Sequence, residues 1–354
     1  MSVVSASSEG QRLRRVSPLR LLLTRPEFGA VIGAVIVFLI FAILSILRGD
    51  IGKGFLSVQG AASFLEVTAY VGIIGVAVSL LMIAGEFDLS VGSMIGAASL
   101  FLGLLVVQWG VPPTIAIILT FAFALAVGAF NGWLRIKTGL PSFIVTLGML
   151  LILRGAGIGF TRLITSNTIV SGVNANTAND PVVALFTASV TIGGGEFKVV
   201  LLWWLVTVIA ATWVLTRTRF GNWIFAVGGS EQAARYVGVP VNRVKIILFM
   251  TTAASAALFA CIQVLNFGSA DVLRGQNKEF EAIITAVVGG TLLTGGYGSA
   301  LGSAFGAFIL GTTQLGINFV GINSDWYQVV LGSILLLAVL ANTYLLRRAS
   351  GARS

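Results

Sequence analysis

Few residues of this chain could do chemistry, because it contains no histidine and only one cysteine, Cys261. The absence of histidine excludes a histidine general base, and one thiol provides neither an intramolecular disulfide nor a zinc thiolate cluster. We therefore expect no catalytic residue, no metal site and no cofactor. Two ionisable residues, Glu66 and Arg154, lie inside long apolar runs, where such groups are functional candidates. We predict a structural ion pair between them or an Arg154 side chain that reaches the outer surface, with substrate contact as the alternative.

Asp88 and Ser90 stand directly before the apolar run that starts at Val91. Both residue types accept hydrogen bonds from free backbone amides, and negative charge suits the N-terminal end of a helix. The simplest expectation is that they cap a helix. Because Glu86 is also near, a cation or proton site is the alternative.

Composition indicates which elements position these groups. Of the 354 residues, 56% are hydrophobic and 10% are charged, whereas a soluble domain carries roughly 25% charged residues. A water-soluble globule is therefore excluded, and we predict an all-α polytopic membrane protein with about ten transmembrane helices of about 20 residues each. The apolar runs are 29–47, 63–84, 91–108, 113–134, 141–161, 197–215, 244–267, 281–294, 300–320 and 327–346. The eighth run is short and glycine-rich, so we expect it to be broken or tilted.

The distribution of lysine and arginine predicts the orientation of these spans. An inner N-terminus places 15 of the 22 basic residues on the inner side and six on the outer side. Both termini are thus predicted to be cytoplasmic, and the net charge of +9 reflects this asymmetry rather than nucleic-acid binding. The predicted organisation is a tail (1–28), a transmembrane domain (29–346) with an external loop (162–196) and a cytoplasmic loop (216–243), and a second tail (347–354).

The sequence also contains a weak internal repeat. Residues 85–97 align with residues 295–307 with five identities in thirteen positions, and both copies fall at a predicted inner turn. Each copy carries two glycines four residues apart, which let helix backbones approach closely. The repeat predicts either plain glycine-rich packing or duplicated halves around a transport pathway. The small residues are Gly92 and Gly96 in the first copy and Gly302 and Gly306 in the second.

The cytoplasmic loop contains a short predicted helix. Ser230 is a typical N-cap for residues 231–236, Gly228 and Gly229 are expected to break the chain before it, and Gly238 ends it. A two-turn helix is not stable alone. We therefore expect it to rest on a partner surface.

Several motifs together resemble the ribose/xylose-type permeases of bacterial ABC sugar importers. The resemblance covers residues from about 60 to 340. The first motif departs from the family pattern, since Glu86 stands where glycine is frequent. The motifs are Asp88–Ser93, Pro141–Met149, Leu153–Gly155, Phe220–Gly238 and Glu279–Ile283, followed by two glycine pairs at 289–290 and 295–296.

This resemblance implies a permease subunit in the bacterial inner membrane that moves a monosaccharide or related polyol inward. It also implies a second permease copy or paralogue, a periplasmic sugar-binding protein and a separate ATPase subunit, consistent with the lack of a Walker motif in this sequence. The cytoplasmic loop would dock on the ATPase, and the outer basic residues Arg48, Lys53, Arg274 and Lys278 would meet carboxylates of the binding protein. The residues expected to couple to the ATPase are Gly221, Gly228, Gly229, Glu231, Ala233, Ala234, Arg235 and Gly238.

Two other functions are open from the residues alone. A sugar–proton symporter would need ionisable groups that titrate along the pathway, and the sequence contains few. A channel or a structural membrane protein is the remaining possibility. A transport assay without ATP would distinguish these classes.

Overall fold

The computed structural model describes residues 26–49, 52, 54–177 and 180–351, which form fourteen α-helices and four short strands. Lys53 and most of the tail 1–28 lie outside the described residues. The helices are α1 Pro26–Leu47, α2 Val58–Ile83, α3 Val91–Val107, α4 Pro113–Thr138, α5 Ser142–Thr165, α6 Val173–Thr177, α7 Ala184–Thr187, α8 Val200–Arg217, α9 Arg219–Gly229, α10 Glu231–Tyr236, α11 Val241–Phe267, α12 Lys278–Val288, α13 Ala300–Phe319 and α14 Tyr327–Gly351. The strands are β1 Ile169–Ser171, β2 Ser189–Ile192, β3 Gly195–Lys198 and β4 Ser269–Asp271.

Each of the ten predicted apolar runs falls on a helix, so the protein is an all-α polytopic membrane protein. Within the described residues, seven helices are long and apolar enough to cross a membrane: α1, α2, α4, α5, α8, α11 and α13. Helix α3 and the segment Ser324–Leu340 are apolar but shorter. Helix α12 has only 11 residues, about 16 Å of helix against a hydrocarbon core of about 30 Å.

Helix α2 forms the centre of the molecule. It packs against α13, α12, α8 and α11, and most of its side chains are buried. Helices α1, α4, α5 and α8 lie at the periphery and keep rows of large apolar side chains exposed. In a membrane protein, such apolar faces can contact lipid or pack against another membrane subunit.

The four strands form two antiparallel pairs at the same end of the bundle. Strand β1 pairs with β4, which brings the loop after α5 against the chain that follows α11. Strand β2 pairs with β3 in a hairpin that packs on the start of α2. The predicted external loop 162–196 is therefore ordered by short helices and strands.

After β4 the chain runs back into the bundle along α3. Gly103 packs against Ala270, Gly96 against Val272, and Gly92 against Gly275. These α3 contacts extend over twelve residues, about 16 Å along the helix axis. We call residues 269–277 the descending segment. Helix α12 consequently begins about half-way across the bundle, which explains why the eighth apolar run is so short.

Candidate functional site

The α9–α10 segment, residues 219–236, is a pair of short helices with a side-chain cap at each start. The Thr218 hydroxyl accepts a hydrogen bond from the Gly221 amide at 3.1 Å, and the Ser230 hydroxyl accepts one from the Ala233 amide at 3.3 Å. Helix α10 has the predicted bounds, and Gly238 follows it with a φ of 82°. Helix α9 was not predicted. Gly228 and Gly229 are its last two residues rather than a break.

Apolar side chains fix this segment to the bundle. Ile224, Val227 and Ala234 are buried in one cluster with the C-terminal parts of α2 and α8 and the N-terminal part of α11. Ala234 is only 2% exposed, so it faces its own chain and not a partner. Ala233 is exposed, and the largest exposed side chains of the segment are Tyr236 at 90% and Val237 at 79%. These two residues form an apolar tip that projects from the end of the molecule.

A charge network, defined by Glu86, Arg135, Glu231, Arg235 and Lys245, ties α10 to the helices beneath it. Lys245 Nζ donates to Glu231 Oε2 at 2.6 Å and lies 2.5 Å from Glu86 Oε1. Arg135 Nε donates to Glu86 Oε1 at 3.0 Å, and its Nη2 is 3.9 Å from Glu231 Oε2. The network therefore connects α10 with α4, α11 and the turn before α3.

Glu231 is the member of the network that lies on α10 itself. Arg235 Nη2 donates to Glu231 Oε1 at 2.8 Å and to the Asn242 side-chain oxygen at the same distance. Partial burial alone would raise the pKa of Glu231. Hydrogen bonds from Lys245 and Arg235 outweigh it and lower the pKa from 4.5 to about 2. Glu231 is thus held as a carboxylate at neutral pH, which keeps the network charged.

A glycine junction joins the same segment to both copies of the internal repeat. We define it as Gly85, Gly228, Gly295 and Gly296, whose backbones touch. The Gly296 amide donates to the Ile83 carbonyl at 2.8 Å, and a Cβ on Gly228 would clash with that same carbonyl oxygen. Gly228 is therefore needed for close packing at this point. Gly229, by contrast, has open space beside it.

The two small faces of the repeat pack on the same stretch of chain. In the first copy, Gly92 contacts Gly275 and Gly96 contacts Val272. In the second copy, Gly302 and Gly306 contact the last turns of α12. The first face thus contacts the start of residues 272–289, and the second face contacts their end. The sequence repeat therefore corresponds to two similar packing contacts in the structure.

Asp88 is buried and links three helices instead of capping one. Its Oδ1 accepts from the Ser90 amide at 2.9 Å and the Ser90 hydroxyl at 2.6 Å, and its Oδ2 accepts from the Thr252 hydroxyl at 2.6 Å. Ser90 is the N-cap residue of α3, but its side chain makes no cap hydrogen bond. Its hydroxyl accepts from the Asn131 amide group at 3.0 Å. The expected capping role is replaced by a polar tie between α3, α4 and α11.

The predicted pair of Glu66 and Arg154 does not form. Glu66 Oε1 instead accepts from Lys198 Nζ of strand β3 at 2.8 Å. Arg154 instead interacts electrostatically with Glu279 at the start of α12. Lys198 reaches Glu66 because the β2–β3 hairpin folds over the start of α2.

The outer basic residues are engaged within the chain. Arg48 donates to the Val320 carbonyl, and Arg274 donates to the Ser269 hydroxyl at 2.6 Å and stacks on the Phe267 ring. Lys278 pairs with Glu281 at 2.6 Å and has an 18% exposed side chain at the buried start of α12. Lys278 is therefore not on an outer rim. For Arg48 and Arg274 docking stays a prediction.

Two members of the charge network, Arg135 and Lys245, were not predicted as site residues, and Glu86 was named only as a neighbour in the alternative cation or proton site. The signal was present in part: Glu86 departs from the family pattern, and Lys245 lies inside an apolar run. Their partners come from distant parts of the chain. Only the fold brings them within hydrogen-bond distance.

Comparisons with known proteins agree with this architecture. Residues 60–339 match the family described as branched-chain amino acid transport system / permease component. The probable ABC transporter permease protein YphD of Escherichia coli is 33% identical over 92% of this chain and 92% of its own length. The fructose import permease protein FrcC of Rhizobium meliloti is 31% identical over 85% of this chain and 83% of its length. The xylose transport system permease protein XylH of Escherichia coli is 30% identical over 89% of this chain and 92% of its length.

No solved structure matches the chain. The family match and the relatives cover most of its length, and the relatives are transporter components rather than enzymes. Such permeases work with an ATPase and a substrate-binding protein. The chain therefore belongs to the family of branched-chain amino acid transport system / permease components and is an inner-membrane permease subunit of an ABC importer.

Proposed function

We propose that this permease imports a neutral monosaccharide, that the end of the molecule carrying α10 faces the cytoplasm, and that α10 is the docking site for the ATPase. The observation that carries the docking proposal is the exposed apolar tip of Tyr236 and Val237 at the end of a helix that is fixed to the bundle by Ala234 and the charge network. A transmitting contact must be exposed on one side and rigidly anchored on the other, and α10 meets both conditions.

The substrate class is supported by the named relatives. Proteins similar to most of this chain include a fructose import permease, a xylose transport permease and a ribose import permease. These sugars are neutral and polyhydroxylated. We extend that class to this chain, in an assembly with a second permease copy or paralogue in the lipid membrane.

Docking is tested by the double substitution Tyr236→Ser and Val237→Ser. The matched control is Leu140→Ser, since Leu140 is a 45% exposed apolar residue on the α4–α5 turn at the same end of the molecule. The double variant should insert in the membrane normally but lose ATPase co-purification, and the control should retain it. Normal ATPase recovery with the double variant would refute the docking assignment.

The substrate and energy source are tested in vesicles with the complete complex. Uptake of labelled ribose, xylose and fructose is measured with the binding protein and ATP, and again with an uncoupler that collapses the proton gradient. We expect ATP-dependent uptake of at least one sugar that the uncoupler does not abolish. Uptake driven by the proton gradient alone, or uptake of amino acids only, would overturn the proposal.

A further inference from the structure

Two amide side chains are exposed deep inside the span of the bundle. Gln276 and Asn277 lie at the end of the descending segment, directly before α12, and both are exposed. The adjacent Gly275 contacts Gly92, fifteen residues from the end of α3 at Val107. That separation corresponds to about 22 Å along the helix axis. Gln276 and Asn277 therefore lie inside the span of the bundle, about 22 Å from the end that carries β1 and β4.

The chain at this depth is not regular helix. A 3₁₀ turn ends at Gly275, Gln276 has an extended conformation, and Asn277 has a φ of 64°. The Asn277 side chain makes no cap hydrogen bond to α12. Irregular backbone at membrane depth does not face lipid, and it is found where it is buried in protein or lines a water-filled cavity. The exposed surface here must accordingly face one of these two environments.

Few charges reach the surface around the two amides: Arg154 and Arg274 are only partly exposed, and Arg274 donates to the Ser269 hydroxyl. Lys278 and Glu281 neutralise each other at 2.6 Å, and Glu279 is only 2% exposed. The neighbouring exposed side chain is Phe280, at 52%. Amide groups offer both donors and acceptors to hydroxyls, and an aromatic ring offers an apolar face. Binding sites for small neutral ligands combine such apolar and polar groups.

We propose that Gln276, Asn277 and Phe280 line the substrate pathway and contact a neutral polyhydroxylated substrate within the membrane. The inference rests on the proposed function for the identity of the substrate. It does not depend on which end of the molecule faces the cytoplasm. Lipid and direct packing against a second permease copy are the two environments that the proposal excludes for these side chains.

Exposure to water is tested with single cysteines in the complete complex in vesicles. The native Cys261 is fully buried, so it gives a low background. Gln276→Cys is placed at a residue with a φ of −62° and strains nothing. The matched control is Ala126→Cys, at an exposed residue midway along α4. A charged, hydrophilic thiol reagent should modify Gln276→Cys and leave Ala126→Cys unmodified.

Substrate contact is tested in the same vesicles with ribose, xylose and fructose at millimolar concentration. The sugar that the complex transports should slow modification of Gln276→Cys. No modification at position 276, equal modification at both positions, or a disulfide between two permease copies through position 276 would overturn the pathway assignment. Modification without protection by the transported sugar would overturn the contact. Failure of the proposed function would be distinct, because it would show as a lack of ATP-dependent uptake by the unsubstituted complex.

Asn277→Gly offers a second readout, since glycine keeps the positive φ and removes the amide. The KM for uptake should rise about fivefold if one hydrogen bond to substrate is lost. Leu273→Ala is the control, at a 54% exposed apolar residue of the same segment. An unchanged KM in both Asn277→Gly and Gln276→Ala would contradict the proposal.

Discussion

Lys245 and Glu86 are almost fully buried, with side-chain exposures of 3% and 4%. Moving two charges out of water costs several kcal/mol each unless both are paired. Here each ion has two oppositely charged partners, because Glu86 also accepts from Arg135 and Lys245 also donates to Glu231. The pair is therefore stable only as part of the complete network.

Removal of one member should expose this dependence. We predict that Lys245→Met lowers the free energy of unfolding by about 3 kcal/mol, because it leaves buried Glu86 with only Arg135 as a partner. Adding Glu86→Gln should recover most of the loss. Denaturation of the purified chain in detergent measures both changes. Additive losses in the double variant would contradict the coupling.

Glu231 gives the network a pH dependence with a definite sign. Its pKa is lowered to about 2 in the folded chain from 4.5, so its stabilising effect is complete above about pH 5 and is lost as the pH falls towards 2. We predict that the unfolding temperatures of the wild type and Glu231→Gln differ by a constant amount above pH 5 and converge below pH 4.5.

Glu196→Gln serves as the control, because Glu196 is exposed on the β2–β3 hairpin. Its unfolding temperature should follow that of the wild type across the same pH range. A difference between wild type and Glu231→Gln that persists to pH 2 would show that the carboxylate does not stabilise the fold.

Single residues also show where sequence reasoning reaches its limit. Glu66 was correctly singled out as an ionisable group in an apolar run, but its partner Lys198 belongs to a strand that no periodicity indicated. Ala234 was among the residues expected to couple to the ATPase, yet it packs inside its own chain. A residue type is readable from sequence, whereas the direction of its side chain depends on the whole fold.

Among the elements, α10 was predicted with its correct bounds and α9 was not. Helix α10 carries a serine cap at its start and a glycine after its end, which are strong local signals. Helix α9 contains three glycines, which lower helix propensity by about 1 kcal/mol each. Tertiary packing of Ile224 and Val227 compensates for that weakness.

The two adjacent glycines of α9 provide a matched pair of variants. Gly228→Ala should displace α9 because its methyl group would meet the Ile83 carbonyl, whereas Gly229→Ala meets no atom. We predict that Gly228→Ala abolishes uptake while Gly229→Ala retains it. Uptake normalised to membrane expression measures the contrast. Equal activity of the two variants would refute the packing role of Gly228.

The eighth apolar run was expected to be broken because it is short and rich in glycine. The structure confirms a short helix, but the path of the chain before it could not be predicted. That path depends on Gly92, Gly96 and Gly103 of α3, which leave a groove for the descending segment. Glycine-rich faces indicate close packing, but they do not identify which segment of the chain packs on them.

At the scale of the whole molecule, the turns that begin the two repeat copies meet at the glycine junction. Gly85 and Gly295 occupy equivalent positions in the sequence repeat and touch each other beside Gly228. Any displacement of the α9–α10 segment would therefore displace both turns together. We infer that the repeat lets one docking segment act on two parts of the bundle.

The orientation of the molecule is open to a direct test. The asymmetry of basic residues predicts that a reporter fused after Arg348 is cytoplasmic and that one placed near Asn174, in α6, is periplasmic. Protease or thiol accessibility of the two reporters in intact cells measures this. Both reporters on one side would overturn the predicted ten-span topology.

The short helix α12 also constrains how the chain is made. A helix of 11 residues that carries three charged side chains is too short and too polar to insert as an independent span, and the two glycine faces that hold it come from α3, made earlier, and α13, made later. During synthesis, residues 269–288 cannot complete their packing until α13 has emerged from the ribosome. The last third of the chain is therefore expected to assemble as one unit, and a released chain truncated at residue 299, before α13, should be cleaved by proteases within α12.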